Sequence, residues 1–66
     1  MKAMIFNLFM DYKNGIEISK KRLQSIMGKI SYYNYTEGEY VSSIIKKYEE
    51  KVGIKYCDII DTVMQN

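Results

Sequence analysis

AMIFNLFMDYKNGIEIS, residues 3–19, decides between two folds. Read with period two, one face carries Met4, Phe6, Leu8, Met10 and Tyr12, and the other carries Ala3, Ile5, Asn7, Phe9, Asp11 and Lys13. The first set is wholly apolar and the second is mixed, which is the pattern of a half-buried strand. The rival is a helix that uses Ile5, Leu8, Phe9 and Tyr12. Such a helix leaves Met4, Phe6 and Met10 on its other sides, so the periodicity favours the strand. Asn14-Gly15 follows, the strongest short-range hairpin signal.

Register can be tested against that turn. A two-residue loop at Asn14-Gly15 pairs Lys13 with Ile16 and Asp11 with Ile18, setting both isoleucines beside charges. Lengthening the loop to Lys13-Asn14-Gly15 pairs Tyr12 with Ile16 and Met10 with Ile18. Directly paired residues share a face, so the second register gathers the apolar residues. Gly15 then takes the left-handed position of a bulge. The expected hairpin covers about residues 3–18.

Downstream the spacing is helical. Ser19 is a good N-cap, with Ile18 and Leu23 at the two staple positions around it. Leu23, Ile26, Met27 and Ile30 share one face, giving a helix over about 19–30 that the segment SYYNY ends. Thr36-Glu37-Gly38-Glu39 reads as a capping box flanked by Tyr35 and Tyr40 as a staple. It opens a second helix over about 37–52 with Val41, Ile44, Ile45, Tyr48 and Val52 on its apolar face. Gly53 stands where a helix ends in a left-handed residue, with Ile54 able to fold back on Tyr48. A last helix over about 56–65, with Asp58 as candidate cap, has Ile59, Ile60, Val63 and Met64 as its apolar residues. The expected fold class is therefore α+β, an N-terminal hairpin followed by three helices, with an all-α four-helix fold as the alternative. Residues 1–66 form one small domain.

Totals narrow the chemistry. The chain has no His, no Trp and no Pro, and Cys57 is its single cysteine. An internal disulfide is excluded, and the lone cysteine suits a reducing compartment as a small buried hydrophobe. Without His, a Cys57 nucleophile lacks its usual base. The common zinc sites lack ligands, and none of the glycines sits in a phosphate-loop or dinucleotide pattern. Asp58 and Asp61 lie a helical turn apart and read as solvated carboxylates. Glu49-Glu50 reads the same way, with Lys46 and Lys47 at pairing distance. The protein is expected to be non-enzymatic, with no cofactor and no metal. A net charge of +2 is too balanced to imply nucleic acid by itself. The run AMIFNLFM is broken by Asn7, is followed by Asp11 and has no cleavage site, so it does not read as a signal peptide. No apolar stretch approaches the roughly 20 residues needed to span a bilayer. A cytoplasmic protein from a complete short reading frame is expected. Ile, Lys, Tyr, Met, Asn and Phe supply more than half of the residues. Their codons are rich in A and T, which points to a low-GC bacterial genome or one of its phages.

Three features stand out as candidate sites. Lys20, Lys21 and Arg22 open the first helix, where cations oppose the helix dipole, and a contact to phosphate or to an acidic partner would explain them. Tyr32 and Tyr33 are adjacent and cannot both point inward, and an exposed tyrosine pair suits a protein interface or base stacking. Finally, residues 16–18 can pair only with about residues 10–12, leaving Met4 to Leu8 an unpaired strand edge. Pairing with a symmetry mate in a homodimer, or with the sheet of a target, would place function on the outward Ile5, Asn7 and Phe9.

These features favour a protein-binding module, an inhibitor or adaptor of phage or mobile-element type acting on a host protein complex, able to form a homodimer. The alternative is a small DNA-binding regulator whose helices at 19–30 and 37–52 form a helix-turn-helix. It ranks second because the recognition helix would present Glu37 and Glu39 to phosphates, and because SYYNY is longer than the usual turn.

Overall fold

Residues 2–37 and 40–65 are described by a computed structural model. They form helices α1 (Lys2–Lys13), α2 (Lys20–Glu37), α3 (Tyr40–Val52) and α4 (Tyr56–Gln65). The described residues include no strand, so the N-terminal β-hairpin and the α+β class are overturned in favour of the all-α alternative.

α1 forms because its sequence suits a helix and its backbone has no other partner. Ile5 is the only β-branched residue between Lys2 and Lys13, while Ala3, Met4, Leu8, Met10 and Lys13 are strong helix formers. A strand here would pair over only the three residues 16–18. A helix satisfies its amide and carbonyl groups internally. The buried face is Ile5, Leu8 and Phe9, with Tyr12 continuing it at half burial. Ile5 and Phe9, expected at an outward strand edge, are 1% and 0% exposed and belong to the core. Of that trio only Asn7 faces solvent.

The Asn14-Gly15 pair ends α1 rather than turning a hairpin. Gly15 has φ +74°, as expected, but in a helix-stop geometry. Its N–H bonds the Tyr12 carbonyl at 3.2 Å, and the Ile16 N–H bonds the Asp11 carbonyl at 2.9 Å. This nested pair of bonds is the Schellman motif, which closes carbonyls that a helix end leaves open. Ile16, the expected partner of Tyr12, is 53% exposed. The chain then runs without helix through residues 16–19, burying Ile18.

Ser19 caps α2 as its side chain predicts: its Oγ accepts the Arg22 N–H at 3.1 Å. Ile18 and Leu23 on either side of that cap are both buried. α2 does not stop at 30. It runs through SYYNY to Glu37, because Tyr33 continues the stripe of Leu23, Ile26 and Ile30 and no breaker intervenes before Gly38. Thr36 is therefore inside the last turn of α2, where its hydroxyl donates to the Tyr33 carbonyl at 3.4 Å, and it caps nothing. Tyr35 and Tyr40, at 90% and 47% exposure, form no buried staple. Gly38 and Glu39, the remainder of the expected capping box, lie outside the described residues.

α3 keeps its expected stripe, burying Val41 and Ile44 with Ile45, Tyr48 and Val52 against the core. Gly53, at φ +79°, ends it with its N–H on the Glu49 carbonyl at 2.9 Å. α4 is not capped by Asp58, which lies within its first turn. Instead Glu49 reaches across from α3, and its Oε2 accepts the Tyr56 N–H at 2.8 Å. A carboxylate at this point satisfies an open amide and meets the positive end of the helix dipole. Glu49 is thus a cap and not a solvated surface charge.

Among the described residues, one core of eleven buried residues joins all four helices and the 16–19 connection. α3 packs against both α1 and α2, and α4 lies across α2 and α1. Phe6 flanks the core with its ring 5.6 Å from that of Tyr48.

Two substitutions check these helix ends. Gly15→Ala should lower unfolding free energy by about 1 kcal/mol or more, since a side chain at this φ is strained. Glu49→Ala should lower it by about 1 kcal/mol through loss of the α4 cap. Urea midpoints at constant m-value report both, and an unchanged midpoint removes the corresponding motif.

Candidate functional site

The basic turn divides into two parts. Arg22 is half-buried and its Nη1 donates to Asp11 Oδ2 at 2.6 Å, clamping the start of α2 to the end of α1. Its position is explained within the chain. Lys20 and Lys21 are exposed, and α2 has no acidic residue in its first turn. From Ser19 to Thr36 every charged residue is a cation: Lys20, Lys21, Arg22 and Lys29.

Tyr32 and Tyr33 sit on α2 rather than in a loop. Their rings meet edge to face with centroids 5.6 Å apart. Tyr33 packs against the core, while Tyr32 is 64% exposed. Helical spacing brings Tyr35 beside Tyr32, and Tyr40 opens α3 just beyond. Exposed tyrosines thus stand in the last turns of α2, at Tyr32 and Tyr35, and at the first residue of α3, Tyr40. Sequence reading assigned Tyr35 and Tyr40 to a staple, and the signal it missed was the helical continuation through Tyr33. Lys21 lies about eleven residues before Tyr32, roughly 16 Å along the helix at 1.5 Å per residue. The two candidate groups therefore share one long face without forming one pocket.

A cleft of about 550 Å³ opens between the 15–20 connection and the C-terminal half of α4. Tyr12, Ile16, Glu17, Lys20 and Thr62 are among its walls. The Tyr12 and Thr62 hydroxyls bond each other at 3.1 Å, and Glu17 and Lys20 oppose in sign. These groups do not converge on one ligand charge.

Cys57 is exposed, contrary to the buried position expected of it. Asp58 and Asp61 are exposed on α4. Among the described residues, no group of three or more His, Cys, Asp or Glu side chains is placed to hold a metal ion. No helix there is long and apolar enough to cross a membrane. Burial raises the Tyr56 hydroxyl above its ordinary value near 10.

No protein-family model, curated protein or solved structure matches the chain.

The two halves of the basic turn should respond in opposite directions. Lys20→Gln with Lys21→Gln should raise stability by a few tenths of a kcal/mol, because the conflict with the dipole is relieved. Arg22→Gln should lower it by up to about 1 kcal/mol, the range of a partly exposed ion pair. Equal shifts in the two melting curves would refute this division.

Proposed function

We propose that the chain is a small non-enzymatic protein-binding module, an inhibitor or adaptor that acts by docking on another protein. The observation that carries this reading is the exposed tyrosine group. Tyr32 and Tyr35 near the end of α2 and Tyr40 at the start of α3 present large amphipathic rings at 64%, 90% and 47% exposure. Tyrosine is enriched among the residues that dominate binding energy at interfaces, and each ring brings much contact area with few rotatable bonds. Lys21, free to meet an acidic surface, extends the same helix face.

DNA binding remains the second reading, moved to a different helix pair. α2 and α3 no longer have the expected SYYNY turn, but α3 and α4 are joined by residues 53–55 with a glycine at the start, the length of a helix-turn-helix connection. Against it, the exposed face of α4 carries Asp58 and Asp61, which repel phosphate.

The test is capture from a low-GC bacterial lysate by the intact chain and by a Tyr32→Ser, Tyr35→Ser, Tyr40→Ser variant of equal melting temperature. A protein retained by the first and weakened at least about tenfold in the second, some 1.4 kcal/mol, supports docking through the tyrosines. Equal retention would move the interface elsewhere. Strongly salt-dependent binding to random duplex DNA would favour the second reading.

A further inference from the structure

α2 carries two local costs that the chain itself does not use. Gly28 sits mid-helix, where glycine is less favourable than alanine. Nothing lies within 4 Å of the position its Cβ would take, so no internal packing requires its absence. Lys20 and Lys21 oppose the helix dipole without an acidic neighbour in that turn. A local rule broken without internal gain points to an external one.

These residues share a face. Lys21, Gln24, Ser25, Gly28, Tyr32 and Tyr35 are all exposed, and their spacing sets them on the side of α2 opposite Leu23, Ile26 and Ile30. The face is narrow at its centre, cationic at one end and aromatic at the other. Lys21 stands seven positions before Gly28 and Tyr35 stands seven after.

We propose that this face is a self-association surface on which two copies pair α2 antiparallel about a twofold axis at Gly28. The proposal rests on the reading that the tyrosine face binds protein, and it names a second copy as an occupant. The axis puts Lys21 of each copy against Tyr35 of the other, a cation over an aromatic ring. It sets Gln24 opposite Tyr32. Gly28 meets its own twin, where the missing side chains let the helix backbones approach. Charge decides the direction. Parallel pairing would stack Lys20 and Lys21 on their twins. Antiparallel pairing separates Lys21 from its twin by about 14 residues, roughly 21 Å, beyond the Debye length of about 8 Å at physiological salt. A closed twofold contact is the commonest oligomer geometry. One helix pair of about 27 Å makes a small interface, so the dimer is of the weak class.

Sedimentation equilibrium from about 10 μM to about 1 mM tests it, a range suited to a weak contact. The native chain should move from monomer toward dimer mass. Gly28→Arg should remain monomeric throughout while melting at the same temperature or higher, since the site is open and arginine favours helix. Lys21→Glu should weaken association severalfold. A native chain that stays monomeric at about 1 mM overturns the dimer, and so does a Gly28→Arg variant that still dimerises. Tyrosine-dependent capture of another protein would survive either result, so the two readings fail separately.

Discussion

Everything in this fold follows from how residues 2–13 satisfy their own backbone. A strand over this stretch needs a partner of similar length, and residues 16–18 are all that the neighbouring chain offers. A helix needs none. Once α1 is helical, Ile5, Leu8 and Phe9 fall on one side and become the surface against which α3 packs. Gly15 then ends α1 as a helix stop rather than closing a hairpin, and its φ of +74° turns the chain away toward α2. A single left-handed residue serves either role, so the conformation expected of Gly15 was correct while the motif around it was not. The hydrogen bonds of Gly15 and Ile16 to Tyr12 and Asp11 distinguish the two.

The legible parts of the sequence were those where a side chain and its local geometry agree. Ser19 caps α2, Gly53 ends α3, and Val41, Ile44 and Tyr48 mark the inner face of α3 as their spacing indicates. The illegible parts were of two kinds. In residues 3–12 apolar side chains occupy both periodicities at once, so the period-two set of Met4, Phe6, Leu8, Met10 and Tyr12 looked complete although only Leu8 of that set is fully buried. The scarcity of β-branched residues there was the better guide. At SYYNY, a run of tyrosines suggested a loop, and the quieter continuation of the buried stripe to Tyr33 carried the helix on. Thr36 lost its capping role for the same reason.

The candidate site was partly legible. Lys20, Lys21 and Tyr32 are exposed, whereas Arg22 is held by Asp11 and Tyr33 packs against the core. An ion pair between residues eleven apart in sequence is invisible until both helix ends are placed. The strand-edge group dissolves with the strand, and with it the reason to expect association through residues 4–9. The need for more burial remains, since a chain of this length buries only about 60% of its unfolded surface. That pressure falls on whichever face is still unpartnered, and α2 presents the longest.

The core itself supplies little direction. Among the described residues, the buried ones are all apolar, with no buried polar or charged side chain to fix register. Apolar burial is non-directional, so four helices around such a core have several near-equivalent packings open to them. Three polar ties break that degeneracy, and all sit at the perimeter. Arg22 to Asp11 fixes α2 on the end of α1, Tyr12 to Thr62 fixes α1 on α4, and Glu49 to the Tyr56 amide fixes α4 on α3. Each joins different helices and each lies near a helix end, where open backbone groups and sharp chain reversals already constrain geometry. Together they link the helices in the order α2–α1–α4–α3, and the Ser42 hydroxyl, donating to Asn34 Oδ1 at 3.4 Å, closes the circuit between α3 and α2. A slip of any one helix would have to break at least one tie. The interior supplies most of the favourable burial, and the perimeter selects which packing receives it.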